Sequence, residues 1–123
     1  MGNCTDRTAT LGALRRQMAE FVAERDWQKY HRPKNLAMSL AIEAAELMEH
    51  FQWLDHDQAD ALLRDPAARQ EVCDEMADIL SFLLSLANTA GIDLAAAFES
   101  KLAANREKYP ADEVRGHYRR PGR

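Results

Sequence analysis

Residues 35–53 read NLAMSLAIEAAELMEHFQW and residues 72–90 read VCDEMADILSFLLSLANTA. Both are apolar stretches in which two acids recur three positions apart. In the first, Leu36, Leu40 and Leu47 fall at helical spacing and mark a buried stripe. Stepping about 100° per residue sets Glu43 inside that stripe and Glu46 on its flank one turn later. The second repeats the arrangement: Val72, Ile79, Phe82 and Leu86 make the stripe, Glu75 falls within it, and Asp78 lies one turn on. A lone carboxylate in such a seam is costly, because an unpaired buried charge is strongly unfavourable and the group would sooner bind a proton. Four carboxylates on two facing helices have a better solution, which is to share divalent cations.

Outward from these two stretches, the rest of the chain also reads as helix. Leu11, Leu14, Met18, Phe21 and Val22 predict a first helix over about 8–25, with Thr8 or Thr10 as N-cap. The connector 26–33, DWQKYHRP, breaks the pattern, since the residue before a proline disfavours helix. Asn35 is the expected cap of the second helix. A polar stretch, 55–64, leaves room for one helical turn around 59–63. Asp65-Pro66 restarts the chain as N-cap plus first-turn proline, and Gly91 stops the third helix. Asp93 caps a fourth, in which Phe98, Leu102, Asn105 and Tyr109 share a face until Pro110. No alternating strand pattern is present. The expectation is an all-α antiparallel four-helix bundle, as a single domain over 1–110 with residues 1–7 a flexible tail and 111–123 a flexible basic tail.

The bulk composition excludes several classes. At 123 residues there is length for one core. A net charge of −4 gives no basic footprint for a nucleic-acid polymer, and no apolar run approaches the roughly 20 residues of a membrane span. The start, MGNCTD, lacks a signal architecture, and Asp6 stands where a myristoylation motif wants Ser or Thr. Cys4 and Cys73 form no metal or redox motif and read as a tail thiol and a small packing residue. These features fit a cytoplasmic protein with no membrane partner.

Acids three apart lie on neighbouring turns of one face and can converge on one point. Oxygen-only ligands favour Mg2+, Mn2+ or Ca2+, and Mg2+ commonly completes its octahedron with substrate phosphates. A di-iron bundle would need Glu-x-x-His on two helices. Here Glu46 and His50 are four apart, and the third helix has no histidine. On the fourth helix Lys101 and Lys108 can meet phosphate oxygens, with Asn105 between them suited to a sugar hydroxyl or base edge. Each lysine alone reads as a solvated surface group. Trp27, His31 and Trp53, at helix ends, can stack on a base, although an isolated Trp also serves as a core anchor.

RDWQKYHRPKNL, IEAAELMEHFQW, EVCDEMADILSFLLSLA and KLAANREKYP, in that order, resemble the successive blocks of the all-α MazG-like nucleotide pyrophosphohydrolases, in particular their small dCTP pyrophosphatase branch. The resemblance covers about 11–110. It implies an Mg2+-dependent hydrolase, with Mn2+ a possible substitute, that cleaves a nucleoside triphosphate to a monophosphate and pyrophosphate. It implies Glu43, Glu46, Glu75 and Asp78 as metal ligands, with one of them, Glu43 being the candidate, open to handling the attacking water instead. Lys101, Asn105, Lys108 and Tyr109 match the phosphate- and sugar-contacting block, and Trp27, His31 and Trp53 match positions that enclose the base. Assembly as a homodimer, or as a homotetramer made of dimers, is also implied. One departure stands out: dCTP-specific members carry Tyr where this chain has Phe82, which removes a polar contact. The contrasting expectation is a non-enzymatic helical interaction module whose acids meet basic residues or a structural cation.

Overall fold

Asp65 opens the longest helix of the molecule. In the computed structural model, which describes residues 4–117, its carboxylate accepts from the Ala68 amide at 3.0 Å, and Pro66 occupies the first turn, where its missing N–H is no loss. The helix runs 25 residues, Pro66–Ala90, and ends on Gly91 in the left-handed region at φ 66°. A side chain there would be strained. In chain order the described residues form α1 (Leu11–Glu24), α2 (Pro33–Glu49), α3 (His56–Leu62), α4 (Pro66–Ala90), α5 (Leu94–Lys108) and α6 (Ala111–Val114), with no strand among them. The protein is all-α, as predicted. The four expected helices are α1, α2, α4 and α5. The short α3 falls where one turn was anticipated, fixed by a capping box between Asp55 and Gln58.

Local chemistry explains the boundaries. Thr10, not Thr8, caps α1 through its hydroxyl on the Ala13 amide, while Thr8 closes a turn with Thr5. Asn35 was expected to cap α2, but the helix begins two residues earlier at Pro33. Asn35 lies inside the first turn, and its amide donates to the Tyr30 carbonyl at 3.2 Å. Pro33 at the first helical position sets the start, and the side chain of Arg32 supplies no cap. Of the stretch expected to be flexible at the C-terminus, 111–114 close one turn of helix as α6, and 118–123 lie outside the described residues, as do 1–3 of the N-terminal tail.

The chain divides into two compact units, one ending at Gly91 and the other beginning at Ile92. In the first, α1 and α2 both pack on α4. Val22 of α1, Leu36 of α2, and Val72, Leu84 and Ala87 of α4 form its buried centre, and Leu36 is sealed almost completely. Full burial of one such side chain contributes about 1.5–3 kcal/mol. Polar ties fix the helices in register. Arg15 donates from Nε to Asn88 Oδ1 at 2.9 Å and from Nη2 to the Ala87 carbonyl at 3.1 Å. Asn88 returns a bond to the Arg15 carbonyl. The connector between α1 and α2 is pinned to α4 in the same way: His31 Nδ1 and the buried Ser85 hydroxyl share a 2.7 Å bond, and Thr89 donates to the His31 carbonyl.

A second set of apolar side chains stays uncovered. Met38 and Ile42 on α2, four apart, are 54% and 57% exposed, and Met76, Leu80 and Leu83 on α4 keep 38% or more of their surface. The second unit contains α5, capped by Asp93 on the Ala96 amide, and α6. Among the described residues no single helix is long and apolar enough to cross a membrane.

Candidate metal centre and adjoining cavity

The pairing of α2 with α4 sets the two acid pairs side by side. Glu43, Glu75 and Asp78 each present a carboxylate oxygen such that all three atoms lie within 4.8 Å of one another. Burial follows the helical phase read from the sequence: Glu43 and Glu75, within the stripes, are half-buried, while Asp78, on the flank, is exposed. Glu46 is half-buried and stands beside Glu43, outside the three-acid group.

The electrostatics of this arrangement are unfavourable without a cation. Carboxylate oxygens only accept hydrogen bonds, so acids packed together cannot satisfy each other unless a proton lies between them. Oε2 of Glu43 and Oε2 of Glu75 are both cut off from solvent without a hydrogen-bond partner. Burial, then contact with the Glu46 and Glu75 side chains and the nearby charges of Glu46 and Asp78, raises the Glu43 carboxyl from 4.5 to about 7. A divalent cation removes this frustration, because it supplies the positive charge that the sealed oxygens lack. The donor set, all oxygen, suits a hard ion such as Mg2+ or Mn2+ rather than zinc or copper. The residues therefore fit a hard divalent metal.

Beside the acids, α1, the connector and α4 enclose a cavity of about 480 Å³. Its α4 wall includes Asp78, so it opens onto the acid cluster, along with Ser81 and Phe82. Its connector wall is Trp27 and His31, whose rings stack with centroids 6.5 Å apart and planes 17° from parallel. The Phe82 ring is tilted 34° from His31, with centroids 6.5 Å apart. Burial pushes the His31 imidazole below its usual pKa, so the ring is neutral near pH 7, and Ser85 fixes its orientation. Three of the four aromatic positions picked from the sequence thus come together. Trp53 does not join this wall. It follows α2 in a turn and is 86% exposed.

The α1 wall, Leu14, Gln17, Met18 and Phe21, was missed as part of a pocket. Leu14, Met18 and Phe21 were legible as an apolar helix face, but periodicity does not separate a face that fills a core from one that lines a hole. Gln17 carried no signal. In the second unit, Lys101 and Lys108 are exposed on α5, Asn105 and Tyr109 are half-buried, and Lys108 Nζ lies 5.7 Å from the Tyr109 ring.

The described residues thus form a helical protein with clustered carboxylates, fit for a hard cation, beside an aromatic-walled cavity. The profile of the MazG-like family matches residues 38–119, and the chain belongs to that family. It is 40% identical to dCTP pyrophosphatase 1 of Rattus norvegicus over 107 residues, which is 87% of this chain and 63% of the rat protein. It is 40% identical to dCTP pyrophosphatase 1 of Homo sapiens over 111 residues, 90% of this chain and 65% of the human one. The chain thus spans a little under two thirds of the length of these relatives. A crystal structure of a pyrophosphatase from Archaeoglobus fulgidus superposes with a TM-score of 0.76 at 42% identity, covering 81% of this chain and 92% of that one.

Proposed function

We propose that this protein is an Mg2+-dependent nucleoside triphosphate pyrophosphohydrolase that acts on dCTP or a related deoxynucleotide and releases a monophosphate and pyrophosphate. The observation that carries the reading is the pair of sealed, unpartnered oxygens on Glu43 and Glu75, clustered with Asp78, which itself lines an aromatic-walled cavity. Membership of the MazG-like family and likeness to dCTP pyrophosphatases over most of the chain support it.

In this reading Glu43, Glu46, Glu75 and Asp78 hold the metal, with Mn2+ able to replace Mg2+. Bound there, the ion would neutralise phosphate charge and acidify a coordinated water. The remaining work falls to the chain itself. Glu43, half-buried in the cluster beside Glu46, is the one of these acids placed to orient or deprotonate the attacking water in place of ligating the ion. Trp27, His31 and Phe82 take the base in the cavity, where the His31 ring stacks on Trp27, while Trp53, exposed and apart from this wall, has no part in it within one chain. Lys101, Asn105, Lys108 and Tyr109 of α5 serve the phosphates and sugar. Phe82 offers no hydroxyl, so base selection rests on shape and stacking at that position.

The uncovered stripes on α2 and α4 support assembly as a homodimer or a homotetramer of dimers, since a lone chain seldom exposes this much contiguous apolar side chain. A nucleotide-pool enzyme of this type belongs in the cytoplasm. The test is a panel of common and modified triphosphates with Mg2+, scored for pyrophosphate against orthophosphate. Pyrophosphate release from a deoxycytidine-type substrate is the expected result. No release from any triphosphate with either Mg2+ or Mn2+ would overturn the proposal and leave a helical interaction module.

A further inference from the structure

We infer that His50 is a positioning residue for the acid cluster, turning one oxygen of Glu75 aside so that the other is presented to the cation; this rests on the metal reading above. His50 stands at the end of α2, one turn beyond Glu46, and its ring is only 20% exposed. Nε2 lies 3.8 Å from Glu75 Oε1, and Nδ1 lies 4.0 Å from Glu71 Oε2. Glu71 and Glu75 are four apart and so share one face of α4. The ring therefore spans two acids on successive turns, with one nitrogen for each.

The two oxygens of Glu75 are in this way given different surroundings. Oε1 faces the imidazole, while Oε2 is sealed and without a partner. A carboxylate with no such neighbour could rotate and present either oxygen. One tethered at Oε1 keeps Oε2 as the free donor. The two separations are longer than a formed hydrogen bond, and a shift of about 1 Å closes either. Bonds at reactive centres are often loose without ligand and tighten when it binds. Glu71 lies on the outer side of the ring, facing the nitrogen not directed at Glu75. Partners of this kind, which orient a metal-binding carboxylate, typically change metal affinity about 10–100-fold when removed.

The experiment measures Mn2+ binding to the nucleotide-free protein by calorimetry, with the thermal midpoint of the metal-free form as the check on folding. His50→Leu keeps apolar bulk and removes both nitrogens. It is expected to weaken Mn2+ about 10-fold or more, with the metal-free midpoint unchanged and the half-saturating Mg2+ for pyrophosphate release raised in parallel. His50→Gln keeps an amide donor and is expected to recover part of the affinity. Wild-type Mn2+ affinity in folded His50→Leu, or no recovery in His50→Gln, overturns the assignment. Should His50→Leu not fold, His50→Phe carries the test: about 10-fold weaker Mn2+ supports the role and unchanged affinity overturns it. Failure of the wild-type protein itself to bind Mn2+ removes the metal reading and this inference with it, an outcome distinct from any variant result.

Discussion

Two polar clusters lie along α4, and they are built on opposite rules. Near its C-terminal end, Ser85, Asn88 and Thr89 are fully engaged: each has a partner on α1 or the connector, and the guanidinium of Arg15 is held at two points. Two to three turns earlier, Glu75 and Asp78 meet Glu43 with like charges converging and two sealed oxygens left without partners. The paired cluster is structural, because every buried donor or acceptor recovers what it loses on leaving water. The unpaired one is stable only in company. Polar groups on one helix can thus be sorted by whether the chain satisfies them itself or leaves them for a ligand.

The sharpest way to break this contrast is to neutralise one acid. Glu43→Gln and Asp78→Asn should each lower pyrophosphate release by about 100-fold or more, the scale of losing one preorganised electrostatic group, while circular dichroism still shows a folded helical protein. In the metal-free state Glu43→Gln should raise the thermal midpoint, since it relieves repulsion. If either variant keeps near-normal turnover, these acids do not hold the metal.

The paired cluster should respond in the opposite sense. Asn88→Ala removes the acceptor of the Arg15 Nε bond and the amide that donates to the Arg15 carbonyl. It should cost about 1–3 kcal/mol of stability, read as a lower urea midpoint that is the same with and without Mg2+. A loss confined to the metal-loaded protein would mean that the two clusters are not separate.

Acidity sharpens the comparison further. The Glu43 carboxyl is raised from 4.5 to about 7 in the folded, metal-free protein. A raised acid contributes stability that is fully present below its unfolded value and is lost as pH climbs through the folded one. The metal-free protein should therefore lose stability between about pH 4.5 and 7, and saturating Mg2+ should abolish that slope. Mn2+ binding should release a proton from this group at about pH 6 and almost none at about pH 8.5. No proton release at about pH 6 would argue that Glu43 is already ionised there. The smallest effect belongs to Ser85→Ala, which removes the tie on His31. A cost of about 1 kcal/mol is expected, together with a KM rise and little change in kcat, because the ring that lines the cavity loses its fixed orientation.

Much of this was legible in the residues themselves. Helical phase alone put Glu43 and Glu75 inside their stripes and Asp78 at the edge, because burial in a helix follows the 3.6 period. Caps at Asp65 and Asp93, and at one of the two threonines offered for α1, were readable because Ser, Thr and Asp side chains reach the first free amides whatever the tertiary fold. The misses are of another kind. Which three acids converge depends on how α2 meets α4, a rotation that neither helix encodes separately, and so the two flank acids, Glu46 and Asp78, could not be told apart. The cavity wall on α1 and the setting of His50 between Glu71 and Glu75 are likewise relations between elements. Asn35 misled for a local reason: its amide had a competing acceptor in the Tyr30 carbonyl, and Pro33 had already set the helix start.

The unbroken course of α4 constrains how the protein can change. Asp78 and Ser85 are seven residues apart on one rod, which is about two turns. Dropping a single residue between them would swing everything on one side by about 100° relative to the other, uncoupling the reactive end from the end that is bolted to α1. Variation among descendants of this chain should therefore come through exchange of side chains across that span and almost never through a change in its length.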